Sequence, residues 1–139
     1  MRFICDAPLG RTWFAFETLA EAEAEAGAMN HAVDRHFARA QTAAIASYAS
    51  PDPHGIARDI GLKDHIRRTM PLFLTLRDAE GAPLATAMLP PQGRSTSGFR
   101  TIIVGPSNVD PYPRHADAIA AQARHLRIDL PRETCYPYG

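Results

Sequence analysis

Apolar residues recur every three or four positions from Leu19 through Ala22, Ala26, Met29, Val33, Phe37, Ala40 and Ala44 to Tyr48. That spacing marks one face of an α-helix and predicts a single long helix over 18–49. Thr18, with Glu21 three residues on, gives a capping-box start. Glu21, Glu23 and Glu25 precede Arg35 and Arg39, an order that suits the helix dipole. Ser50 before Pro51 ends the element, because a residue preceding proline avoids helical angles. Unbroken, the helix would run ~45 Å, more than the width of a domain whose radius of gyration is ~14 Å. It must bend or break near Gly27, or overhang. An overhanging apolar stripe, with the small residues of "ARAQTAAIAS", invites a second copy of the chain. Self-association through this helix, as a non-enzymatic interaction or regulatory module, is therefore the first functional expectation.

Strand-like runs flank the helical pattern. "RFIC" (Arg2–Cys5) and "TWFAF" (Thr12–Phe16) are joined by the turn residues Asp6, Pro8 and Gly10, which predicts a β-hairpin. Strand alternation puts Phe14 and Phe16 on one face, Trp13 and Ala15 on the other. "PDPHG" then breaks the chain. Ile56, Ile60, Leu62, Ile66 and Met70 follow with a phase shift at Gly61, predicting one or two short helical pieces closed by Pro71. Leu72–Arg77 and Pro83–Leu89 flank "DAEG", a hairpin turn ending in glycine. Beyond the polar loop "PPQGRSTSG", Phe99–Val104 completes an antiparallel meander. "RHADAIAAQARHL" predicts a second helix starting near residue 113, with Ala116, Ile119, Ala120, Ala123 and Leu126 on its buried face. A Pro-broken tail follows, packing through Tyr136 and Tyr138. The expected fold class is α+β, one domain over 1–139. It has an antiparallel sheet of about five strands (N-terminal hairpin plus three-stranded meander), one face packed against the long helix and the C-terminal helix.

Composition narrows the function classes. The chain has 139 residues, 15 basic and 15 acidic side chains, and no formal net charge. That balance argues against a nucleic-acid binder or an anionic-membrane binder and removes one barrier to self-association. Lys63 is the only lysine among the basic residues, and alanine is abundant, a pattern of GC-rich bacterial coding. No secretory leader and no apolar run of ~18 residues is present, so a cytoplasmic protein is expected. Cys5 and Cys135 have no metal spacing and are expected to be small buried hydrophobes; they could bridge only if the chain ends meet.

Two segments carry candidate chemistry. In "GPSNVDPYPRH" a strand ends at Gly105 and a helix starts at Pro111 or Pro113, where free amides and the dipole favour an anion. Ser107, Asn108, Arg114 and His115 would contribute. The simpler reading is that Ser107 or Asp110 caps the helix while the prolines stiffen the link and remove two donors. In "PPQGRSTSGFR", Arg94 and Arg100 could close over a ligand, or the segment is a solvated loop. Together Arg94, Arg100, Ser107, Asn108, Arg114 and His115 form a candidate site for an anionic metabolite, the alternative to the interaction module. His31 and His36 lie about 140° apart on a continuous helix and so do not share a face; His31 is expected to meet Asp34 at the surface. His54 and His65 flank Gly61, and His115 and His125 lie three turns apart. No metal motif, cofactor motif or nucleophile elbow occurs, so no metal or cofactor is expected and catalytic residues stay unassigned. Arg58, Lys63, Arg67 and Arg68, interrupted by Asp59 and Asp64, read as a solvated helix face. The hairpin "LFLTLRDAEGAPLATAML" is similar to the sheet centre of N-acetyl-type acetyltransferases. That family's glycine-rich pyrophosphate loop is replaced here by "VGPSNVDPYP", whose prolines lack the donors, so the resemblance is not carried further.

Overall fold

The structure, a computed structural model, describes residues 1–48, 56–91 and 99–135. Five strands, β1 (Arg2–Ala7), β2 (Arg11–Ala15), β3 (Leu72–Arg77), β4 (Pro83–Leu89) and β5 (Ile102–Val104), lie in chain order in one sheet. Every neighbouring pair is antiparallel. Helices α1 (Leu19–Met29), α2 (Val33–Ala46) and α3 (Ile56–Thr69) fall between β2 and β3, and α4 (Tyr112–Leu126) follows β5. This is the expected α+β class.

Helices cover both faces of the sheet, not one. Trp13, Ala15, Leu74, Leu76, Ala85, Ala87, Leu89 and Ile103 pack with Ala118 and Ile119 of α4. Phe16 and Phe73 face the other way, against Ala22, Ala26, Val33, Phe37 and Ala44 of α1 and α2. Double coverage explains why β3 is buried at four consecutive positions, Phe73 to Leu76; a strand with helices on both sides needs no polar face. In β1 an extra residue opposite β2, between Phe3 and Cys5, leaves both Ile4 and Cys5 buried. Cys5 and Cys135 join the same core as free thiols, and burial raises the pKa of each.

The predicted 18–49 helix is two helices. Its start holds: the Glu21 amide donates to Thr18 Oγ1 at 3.1 Å, and the Thr18 amide to Glu21 Oε1 at 3.2 Å. It stops at Asn30, which adopts a left-handed conformation (φ 52°) while the His31 amide donates back to the Ala26 carbonyl. The chain restarts at Val33. Met29 and Val33 are four apart, so the stripe runs through the break without losing phase. The piece after residue 55 is one helix. Gly61 marks not a phase break but a close approach: a Cβ there would come within 2.2 Å of the Tyr48 hydroxyl. Ser50 and the 51–55 breaker lie outside the described residues, as do Tyr136 and Tyr138. β5 is shorter than predicted, without Phe99–Thr101. α4 begins at Tyr112, its amide donating to Asp110 Oδ1 at 3.0 Å, and is kinked at His115 (φ −130°).

Candidate ligand-binding site

Where β4 and β5 meet the junction of α1 and α2, the packed face opens into a cleft of about 170 Å³. Thr86, Met88, Ile102 and Val104 line it from the sheet; His31, Ala32, Val33 and His36 line it from the helices; Asn108 closes one side. The break at Asn30 makes this arrangement. It removes His31 from the helix and puts His36 in the first turn of α2, so two histidines on different faces of a continuous helix line one cavity.

A buried hydrogen-bond chain supports the floor. Glu25 of α1 is 1% exposed and faces the sheet. Its Oε1 accepts from the Arg77 guanidinium at 2.9 Å, and its Oε2 accepts from Thr86 Oγ1 at 2.6 Å. Thr86 in turn lies 2.8 Å from His31 Nε2. A carboxylate paired with arginine can only accept, so the single Thr86 proton goes to Glu25. Thr86 must then accept from His31, which fixes the Nε2–H tautomer and leaves Nδ1 facing the Val33 amide at 3.4 Å. His31 is therefore neutral, and burial lowers its pKa despite the Glu25 charge. The order is wrong for a nucleophile: a hydroxyl activated by histidine donates to it, and Thr86 does the reverse. The chain fixes the floor and leaves chemistry to the rim. His31 does not make the expected surface contact with Asp34.

At the rim His36 is exposed. Partial burial of its ring lowers its pKa, with the cations of Arg39 and Arg100 adding to the effect. The rim thus sets an imidazole of lowered pKa beside the cations of Arg39 and Arg100, which the Asp34 carboxylate opposes only in part.

The residues predicted from sequence divide between two places. Asn108 lines the cleft, and Arg100 lies near enough to act on His36. Ser107 braces the wall: its hydroxyl accepts from Asn30 Nδ2 at 2.9 Å, tying the 105–109 turn to the helix junction. That turn is tight. Ser107 and Asn108 have positive φ, and the Gly105 amide donates to the Val109 carbonyl at 2.7 Å. A Cβ at Gly105 would approach that oxygen to 3.0 Å. Arg114 and His115 border a separate groove with Pro83, Leu84 and Pro113. There His115 Nδ1 is engaged by Arg11, a buried guanidinium that also donates to Asp117 and to the Pro8 carbonyl. Burial lowers the His115 pKa, and Arg11 lowers it further. Arg94 lies outside the described residues, as does most of its loop. Sequence reasoning missed Glu25, Thr86, His31 and His36. Glu25 sits three residues after Ala22 on the buried stripe, the one signal that a charge was being carried inward.

Among the described residues, no group of three or more His, Cys, Asp or Glu side chains could hold a metal ion, and no helix is long and apolar enough to cross a membrane. No protein-family model, curated protein or solved structure matches the chain.

Proposed function

We propose that this protein binds a small anionic metabolite in the cleft between α2 and the β4–β5 edge. The observation that carries the reading is that His36 and Asn108 meet at a cavity whose polar floor is already satisfied internally, with Arg100 near enough to act on His36. A ligand then meets His36 and Asn108 at the rim, with the Arg100 charge nearby, and apolar side chains (Met88, Ile102, Val104) below. The cavity is smaller than the ~300–1,000 Å³ of drug-sized sites, so the ligand is a compact carboxylate or phosphate. An anion beside His36 favours the imidazolium and raises its pKa. NMR titration of the His36 ring in acetate, succinate or phosphate tests this. The expected result is a saturable rise for at least one anion. No rise with any of them, or equal binding by His36→Ala, refutes it.

A self-associating module is the second reading. Its original motive, an overhanging rod, does not apply to two shorter packed helices. Support comes instead from Ile45 on α2 and Ile60 on α3, which are 49% and 63% exposed. Light scattering on Ile45→Lys decides it: dissociation of a dimer supports the reading, and a monomer before substitution removes it.

A further inference from the structure

The opposite flank of α2 holds a second and larger cavity, about 320 Å³, between α2, α3 and the β2 and β3 strand ends. Its inner wall is aromatic. Phe16, Phe37 and Phe73 pack with centroids 5.0–6.2 Å apart, and Met70, Ile66 and Leu72 extend the apolar surface. Its mouth is cationic. Arg2 of β1 and Lys63 and Arg67 of α3 stand around it, with Glu17 the one carboxylate among the lining residues. Glu17 is bound to Arg2 at 3.0 Å and only loosely to Arg67, at 3.8 Å. Three cations from two elements, set against one carboxylate over an aromatic floor, leave room for a second carboxylate at the mouth.

We infer that this cavity is a binding site for an amphipathic monocarboxylate, with its chain against Ile66, Met70 and Leu72, which the buried phenylalanine cluster backs, and its head between Lys63 and Arg67. The recognition is two-part. Each methylene moved from water onto the apolar wall strengthens binding about fourfold until the space is full. The carboxylate gains charge-assisted hydrogen bonds that an alcohol cannot match, an advantage of about tenfold. Arg67 reaches the head by giving up a contact already too long for a hydrogen bond. Phosphate and the short acids that suit the α2–β5 cleft lack the chain to hold here, so the two sites are separable by ligand length.

Straight-chain acids from butanoate to decanoate, with 1-octanol as the uncharged control, test the inference by methyl NMR and calorimetry on the whole chain. The expected result is affinity that climbs with chain length and then levels off, with shifts at the Ile66, Met70 and Leu72 methyls. Lys63→Glu with Arg67→Glu, both exposed on α3, is expected to weaken octanoate at least tenfold and leave octanol unchanged. Because both side chains are exposed, an unaltered melting temperature separates lost binding from lost folding. The inference is overturned if octanoate shows no saturable binding at millimolar concentration, if its shifts fall on Met88 and Ile102 instead, or if the double variant binds octanoate as the parent does. Failure of acetate, succinate and phosphate at His36 leaves these expectations intact, since none of those probes carries a chain.

Discussion

Glu25 brings a negative charge onto the face of α1 that meets the sheet, and Arg77 and Thr86 make the position tolerable. Removing one member of a buried pair costs far more than the pair contributes, because the other is left without compensation. Glu25→Ala is expected to lower unfolding free energy by about 3 kcal/mol, at the lower end of the range for broken buried pairs because the Arg77 side chain keeps 19% of its surface in water. Urea denaturation measures it. Gln122 of α4 presents the opposite case. It is fully buried, and neither amide atom has a hydrogen-bond partner among the described residues. An unsatisfied buried amide costs about 1–3 kcal/mol, so Gln122→Met, similar in length without the polar atoms, is expected to raise the denaturation midpoint. A lower midpoint would mean that the amide is satisfied by water. Neither residue was legible in the sequence. Glu25 read as one of the acids that precede Arg35 and Arg39, and nothing singled out Gln122, because helical period assigns a face but does not say which polar side chains will find partners on it.

Elements were legible where punctuation is strong. Pro71 and the Asp78–Gly81 turn bracket β3 and β4, whose limits match the prediction residue for residue; Asp78 Oδ1 accepts from the Glu80 and Ala82 amides, and Gly81 has φ 84°. A break near Gly27 was one of the outcomes that the helix's length required, and it falls three residues on; its place at Asn30 was not legible, because its punctuation is one asparagine with the apolar period intact on both sides. That also hid the cleft: the relation of His31 to His36 depends on the helix ending between them. Asn30 holds the break twice, by accepting the left-handed conformation and by its side-chain bond to Ser107. Asn30→Ala loses both, and is expected to cost about 1–2 kcal/mol, the usual penalty of a left-handed non-glycine residue. Denaturation measures the cost. Displaced Met88 and Ile102 methyl signals would show the cleft wall moving with it, whereas Asn30→Gly should keep the turn and lose only the brace.

At the scale of the whole molecule, three of the described histidines share one electrostatic fate. Those of the α2 cleft (His31, His36) and of the α4 kink (His115) all have lowered pKa, with burial the leading cause. The unfolded chain therefore binds more protons than the folded one below the ordinary histidine pKa of ~6.5. Their stabilisation is complete above that pH and is lost as pH falls from it toward the folded values. Glu21 and Asp117, also lowered, act in a separate window below the ordinary carboxylate range. Urea midpoints are expected to fall between pH 7.5 and 5.5, with a shallower fall in His31→Gln. An unchanged slope in that variant would place the protons elsewhere.

Trp13, the only tryptophan of the chain, is fully buried, and its indole N–H reaches the Ala118 carbonyl at 2.8 Å. That bond joins residues 105 positions apart. On the ribosome, β2 emerges before α4, and its indole then waits for its cover while the chain between them is made. Contacts of such span close late, so the nascent chain carries a wet aromatic side chain, open to a chaperone, until α4 has left the exit tunnel. The same indole makes a built-in fluorescent reporter of α4 docking.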